Sequence, residues 1–165
     1  MKLFSRISYG NIKLKNRIAI APMGMKTDID GYISERNIEF YRRIAEGGAG
    51  LINIGCAMCT QKYESRPTWA MDSFFQVAPY GQLVDSCHAY GAKVVSQLTV
   101  GLGRVAYADR LETAPYGPSE NPLRGNLAVC TRAFTKEQIA EVVQAYGTAA
   151  AMLQKAGVDG IEMHA

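Results

Sequence analysis

The sequence predicts an α/β fold in which parallel strands are joined by crossover helices, amounting to the N-terminal half of a (β/α)8 TIM barrel. Three observations predict it. Short apolar runs recur at 18–22, 50–55, 93–98 and from 158 onward, as in strands buried on both faces. Helical patterns fill the gaps, and each ends at a glycine: Gly47, Gly91 and Gly157. A closed barrel takes about 250 residues. The 165 residues here therefore hold about half of one: a hairpin, about four strands and three helices.

The elements follow in order. Ile7 and Tyr9 alternate on one side of Gly10-Asn11, and Ile12 and Leu14 on the other, which reads as a β-hairpin over the N-terminal mouth of the sheet. The stretch Ile18-Ala-Ile-Ala-Pro-Met-Gly-Met25 is the first buried strand, and Pro22, with no N–H to donate, is expected to stop its ladder. Asp28, Asp30 and Gly31 are turn residues. Ser34 is the expected N-cap of a helix over 35–46, whose Ile38, Tyr41 and Ile44 share one face. Gly47 is the expected left-handed residue behind it.

Strand two, 50–55, runs into a loop over 56–76 that carries Arg66-Pro67 and Trp69. A helix over 78–90 and strand three, 93–98, follow. The irregular stretch 99–134 is long enough to be a functional lid or insertion. Thr135-Lys-Glu-Gln138 is a capping box. The helix behind it runs to about 155, with Ile139, Val142, Val143, Tyr146, Ala150 and Leu153 on one side. The chain stops on the last residue of strand four, which would leave an unpaired sheet edge. Residues 1–165 are thus expected to be the first part of a single barrel domain, with the remainder and any further domains downstream.

Composition excludes several classes. Apolar residues make up 48% and charged residues 20%, enough for a packed core and against disorder. A net charge of +3, with Lys and Arg scattered singly, gives no nucleic-acid footprint. No window is apolar enough for a membrane span, and the N-terminus lacks a signal-peptide core. Cys56 and Cys59 form a C-x-x-C, but no second ligand pair stands at zinc spacing and the motif does not open a helix. The four cysteines read as reduced residues of a cytoplasmic protein.

Candidate site residues stand where strands end: Pro22, Met23 and Gly24, then Cys56, Gln97 and His164. In a parallel barrel these ends converge on the face where ligands bind. Gln97 is costly to bury unless its amide is paired. It either bonds neighbouring backbone or reads a cofactor ring that offers both N–H and C=O. His164 is a ligand contact or a satisfied core histidine. His88, on the second helix, reads as surface or packing. Arg104 is either an anion contact or a loop-pinning ion pair.

Four segments carry a resemblance. They are Leu14-Lys-Asn16-Arg17-Ile18 into Ala21-Pro22-Met23; Tyr41-Arg with Gly47-Gly-Ala-Gly-Leu-Ile52; Gly91-Ala-Lys-Val with Gln97-Leu98; and Ala156-Gly-Val-Asp-Gly-Ile-Glu-Met-His164. Together, over nearly the whole chain, they resemble the old yellow enzyme family. The nearest branch is the larger flavin and iron–sulfur one of 2-enoate reductases, 2,4-dienoyl-CoA reductases and bile-acid oxidoreductases.

The resemblance implies an FMN-binding barrel that reduces or forms the C=C bond of an α,β-unsaturated carbonyl, with NAD(P)H as electron donor. Ala21, Pro22, Met23 and Gly24 would line the flavin, Cys56 would pack at the ring, and Gln97 would bond its pyrimidine edge. His164 would be one of two donors to the substrate carbonyl. The second donor, the proton-donating tyrosine, and any 4Fe-4S cluster and FAD would lie beyond Ala165. The implied substrate is a small enone, enoate or enoyl thioester, with neither nucleic acid nor membrane as partner and a homo-oligomer left open.

Two departures stand out. Gly24 replaces a Thr or Cys that donates to the flavin in many members. The run Thr99-Val-Gly-Leu-Gly-Arg104 lacks a histidine that many relatives carry after the glutamine. The rival readings are a non-catalytic half-barrel and a non-redox barrel lyase or isomerase.

Overall fold

The structure, a computed structural model, describes residues 2–24, 31–64, 69–106 and 114–164. Strands β1 (Ile7–Tyr9) and β2 (Ile12–Leu14) form an antiparallel hairpin that turns at Gly10, whose φ of 55° suits a glycine. Then come β3 (Ala19–Gly24), α1 (Glu35–Glu46), β4 (Leu51–Met58), α2 (Val77–His88) and β5 (Lys93–Thr99). A short parallel pair, β6 (Tyr116–Gly117) and β7 (Arg132–Ala133), precedes α3 (Lys136–Lys155) and β8 (Gly160–Met163). The main sheet has four parallel strands in the order β3-β4-β5-β8, so each crossover places the next strand beside the last.

Strand alternation divides the sheet into two faces. Ile52, Ile54, Val94, Ser96 and Leu98 meet the helices and are buried. Against them pack Tyr41 and Ala45 of α1, Tyr80, Leu83, Val84 and Cys87 of α2, and Ala149, Met152 and Leu153 of α3. Trp69, from the loop after β4, stands edge-on between Tyr41 and Tyr80, with centroids at 6.0 and 5.8 Å. The buried Tyr80 hydroxyl is satisfied by Ser96 Oγ at 2.6 Å. Each large side chain buried here contributes about 1.5–3 kcal/mol, so this helix-facing layer is what holds the half-barrel together.

The opposite face carries Leu51, Asn53, Val95, Gln97, Gly160 and Glu162. The hairpin lies across its lower end, as the alternation predicts. Hairpin residues Ile7, Tyr9, Ile12 and Leu14 and the sheet residues Leu51, Asn53, Val95 and Glu162 line one cavity of about 510 Å³. Gly160 makes room for this: a Cβ there would meet Ile12 Cδ1 and Val95 Cγ2 at 3.3 Å.

Several boundaries depart from the sequence reading. Strand β3 does not stop at Pro22 but continues to Gly24 through a register shift between Ile20 and Met23. Pro22 sits in the bulge, where no ladder N–H is required of it. The left-handed residue after α1 is Gly48, with φ 104°, whereas Gly47 stays right-handed at φ −65°. The Ser34 N-cap is present, with the Asn37 side chain reaching back to the Ser34 N–H at 3.0 Å. The Thr135–Gln138 box also forms, with both of its bonds made. Gly91 and Gly157 close their helices at φ 71° and 85°.

Helix α3 buries Ala149, Met152 and Leu153, while Ile139 and Val143 are 47% and 66% exposed. In its first half Glu141 accepts from Tyr63 Oη, in the loop after β4, at 2.5 Å. The turn residues Asp28 and Asp30, the pair Arg66-Pro67 and part of the expected lid lie outside the described residues.

Candidate functional site

Two bulges shape the C-terminal end of the sheet. In β3 the register jumps from Ile20↔Ile52 to Met23↔Ile54, so Ala21 and Pro22 together oppose Asn53. In β4 it jumps from Ile54↔Ser96 to Ala57↔Leu98, so Gly55 and Cys56 together oppose Gln97. The bulges interlock at Gly55: a Cβ there would lie 2.7 Å from Pro22 Cβ and 2.9 Å from Met23 N. Only a residue without a side chain lets the two strand tips approach this closely. Beyond the bulge, Tyr41 Oη donates to the Met23 carbonyl at 3.3 Å and ties the tip to α1.

The surface so made is open and mostly apolar. Ala21, Met23 and Gly24 are exposed, Pro22 and Cys56 are half-buried, and a Cβ on Gly24 would touch nothing within 4 Å. Beside it stands a polar group of three. Gln97 Nε2 donates to Glu162 Oε1 at 2.5 Å, and Asn53 Nδ2 donates to Glu162 Oε2 at 2.6 Å. Asn53 on β4 and Glu162 on β8 lie on either side of β5, so the carboxylate reaches over β5 and takes one amide from each of β5 and β4. Asn53 is buried and its Oδ1 has no partner among the described residues.

His164 lies one step past the last paired residue of β8, with its backbone N–H donating to the Leu98 carbonyl at 2.9 Å. Its carbonyl accepts from Tyr146 Oη at 3.3 Å. Alternation from Gly160 and Glu162 assigns His164 to the face of Gln97. The residue is exposed, and its imidazole makes no hydrogen bond among the described residues. The structure therefore brings all of the sequence-predicted residues, Ala21, Pro22, Met23, Gly24, Cys56, Gln97 and His164, to one end of the sheet.

The sequence reading left Glu162, Asn53 and Gly55 without a part. Glu162 was findable, because the two-residue period of Gly160-Ile-Glu-Met-His164 places it on the face of His164. Asn53 and Gly55 carried no such signal.

At the opposite end of the sheet, Asp159 accepts from Lys93 Nζ at 2.6 Å and from the Val94 N–H at 2.8 Å, and is hydrogen-bonded to His88 Nε2 at 2.7 Å. Burial alone would raise this carboxyl. The bonds from Lys93, Val94 and His88 outweigh it and hold the group below the ordinary carboxylate range. His88 is thus a packing residue of the stabilising end of the sheet, far from the strand tips. Arg104 forms no ion pair among the described residues, and its carbonyl accepts from the Arg124 N–H at 2.8 Å. Burial pushes the Cys59 thiol up to about 11, against the thiolate that metal binding or redox exchange would use.

A family model described as NADH:flavin oxidoreductase / NADH oxidase matches residues 2–165. The chain belongs to that family. It is 36% identical to the cinnamate reductase of Clostridium sporogenes, over 99% of this chain and 26% of that protein. It is 34% identical to the metal reductase of Desulforamulus reducens, over 98% of this chain and 24% of that protein. The old yellow enzyme homologue from Zymomonas mobilis (NCR) superimposes with a TM-score of 0.85 at 26% identity, over 99% of this chain and 48% of that chain. The chain thus spans about a quarter of the length of those two relatives, and its sheet is part of an α/β barrel of the old yellow enzyme type. Family membership places the chain in an oxidoreductase lineage.

Proposed function

We propose that residues 1–165 are the N-terminal part of a single FMN-binding barrel domain. In its full-length form the protein reduces, or in reverse forms, the C=C bond of an α,β-unsaturated carbonyl compound. The observation that carries this reading is the strand-tip shelf, with the Gln97 carboxamide and the His164 imidazole at the same end of adjacent strands. The residues fit a flavin on their own chemistry. The shelf at Ala21, Pro22, Met23 and Cys56 is apolar and open, as a flat ring system requires, and no side chain at Gly24 stands above it. Among the described residues Gln97 keeps its Oε1 and one N–H uncommitted, an acceptor and a donor for a ring edge that offers both.

When bound, FMN supplies a hydride from its reduced N5 to the β-carbon of the substrate. The work of this chain's residues is positional and electrostatic. Ala21 to Gly24 and Cys56 form the wall, and Gln97 sets the register of the ring edge. A ring N–H of His164 donates to the carbonyl oxygen and draws electron density toward it, so that the β-carbon becomes electrophilic. The cinnamate reductase relative acts on an enoate by name, which favours an enoate, an enone or an enoyl thioester here. NAD(P)H is the proposed electron donor, and a 4Fe-4S cluster and FAD are proposed for a downstream part. The site is proposed to work in the cytoplasm, and a homo-oligomer is compatible with it.

The full-length protein should purify yellow, carry FMN and oxidise NAD(P)H in the presence of an enoate. A colourless preparation that FMN cannot reconstitute overturns the reading and favours a non-catalytic half-barrel. The 165-residue piece alone should be inactive. Enone reduction by it would show that the second donor and the proton donor are not needed.

A further inference from the structure

We propose that Glu162 is a positioning residue that fixes which edge of the Gln97 carboxamide faces the ligand, with Asn53 as its second clamp. The inference rests on the FMN reading above. Its ground is the pair of bonds on one carboxylate: Gln97 Nε2 to Oε1 at 2.5 Å and Asn53 Nδ2 to Oε2 at 2.6 Å.

An amide side chain has two nearly isosteric orientations, and its surroundings choose between them. Turning the Gln97 amide over would set its Oε1 against Glu162 Oε1 at the same distance, two acceptors with no proton between them. The carboxylate therefore excludes that orientation. It leaves Oε1 and the second N–H of Gln97 pointing elsewhere, in a fixed order, as a donor–acceptor pair for a ring edge. Asn53 removes the remaining freedom. Without it the carboxylate could rotate off Gln97 toward the open face. With it, both oxygens are engaged, one by Gln97 of β5 and the other by Asn53 of β4. Asn53 is itself buried, so its amide has no solvent alternative to this bond. A network of this kind acts as a unit in a low-dielectric interior, and its members are expected to couple rather than add.

The test is a double-mutant cycle in the full-length protein, read by FMN affinity and by the absorbance spectrum of bound FMN. Glu162→Gln keeps shape but places an amide N–H2 against one of its two donors, so the half-buried Gln97 amide is free to turn over. The FMN dissociation constant is expected to rise about three- to tenfold, the equivalent of one hydrogen bond. The spectrum should move toward that of Gln97→Ala. In the Gln97→Ala background the same Glu162→Gln change should alter affinity less than about twofold, because the group it positions is gone.

Equal losses in both backgrounds, or no loss in either, overturn the proposal while leaving the FMN reading intact. If the unsubstituted protein binds no FMN, both fall together. Should Glu162→Gln fail to fold, Glu162→Asp draws the carboxylate back by one methylene and is read in the same way.

Discussion

Replacing Gly55 with alanine tests the interlocked bulges on which the proposed site depends. The added Cβ would lie 2.7 Å from Pro22 Cβ, 2.9 Å from Met23 N and 2.9 Å from Pro22 C. Two of the three are backbone atoms, so no side-chain rotation can relieve the contact, and the tips of β3 and β4 must separate. Overpacking of this kind costs about 1–3 kcal/mol. At roughly 2–4 °C per kcal/mol for a domain of about 150–250 residues, the melting temperature should fall by about 2–12 °C. Because the displaced atoms belong to Pro22 and Met23, FMN affinity should fall as well, by more than the stability loss alone explains. The matched control is Gly147→Ala on the exposed face of α3, where a Cβ meets nothing within 4 Å. It should stabilise the protein by about 0.5–1 kcal/mol, because glycine is a poor helix former. The assays are thermal melts and FMN titrations on the full-length protein. A Gly55→Ala protein with unchanged melting temperature and FMN affinity would refute the reasoning, since the strand tips would then have slack that the structure does not show.

Gly24→Thr has room on the open side of the tip and offers a hydroxyl to the flavin, so it should raise the two-electron potential. A bond of about 0.5–1.5 kcal/mol converts to roughly 10–30 mV, and an unchanged redox titration counts against the placement of Gly24. Asp159 is held below its ordinary value of 3.8, so its contribution to stability is present above that pH and is lost as pH falls through the lower folded value. The gap in stability between the unsubstituted protein and Asp159→Asn, followed by denaturant titration, should therefore narrow below about pH 4; a gap that widens there would contradict the bonding at Asp159. Thiol labelling should discriminate among the cysteines. Cys59 and Cys87, buried and pushed up to about 11, should react slowly in the native protein. Half-buried Cys56 should react faster and become protected when FMN is added. Equal labelling of Cys56 with and without FMN, followed by mass spectrometry, would remove it from the proposed ring wall.

What could be read in the sequence alone was whatever is decided within a few residues. The Thr135–Gln138 box, the Ser34 cap and the positive φ at Gly91 and Gly157 follow from backbone groups that only near neighbours can satisfy. The strand–helix alternation likewise follows from local periodicity, and with it the gathering of Gln97 and His164 at one end of a parallel sheet. Tertiary structure decided everything that needs two distant segments to meet. Pro22 could not be recognised as a bulge rather than a stop until Gly55 lay beneath it. Ile139 and Val143 belong to an apolar stripe on α3, yet both stay exposed among the described residues, because burial needs a distant segment to cover them. Glu162 acquires its two amides from residues 65 and 109 positions away, and no spacing in the chain announces that meeting. The cause is the range of the interactions: caps and periodicity act along the backbone, whereas register shifts and buried polar contacts exist only after strands have been laid side by side.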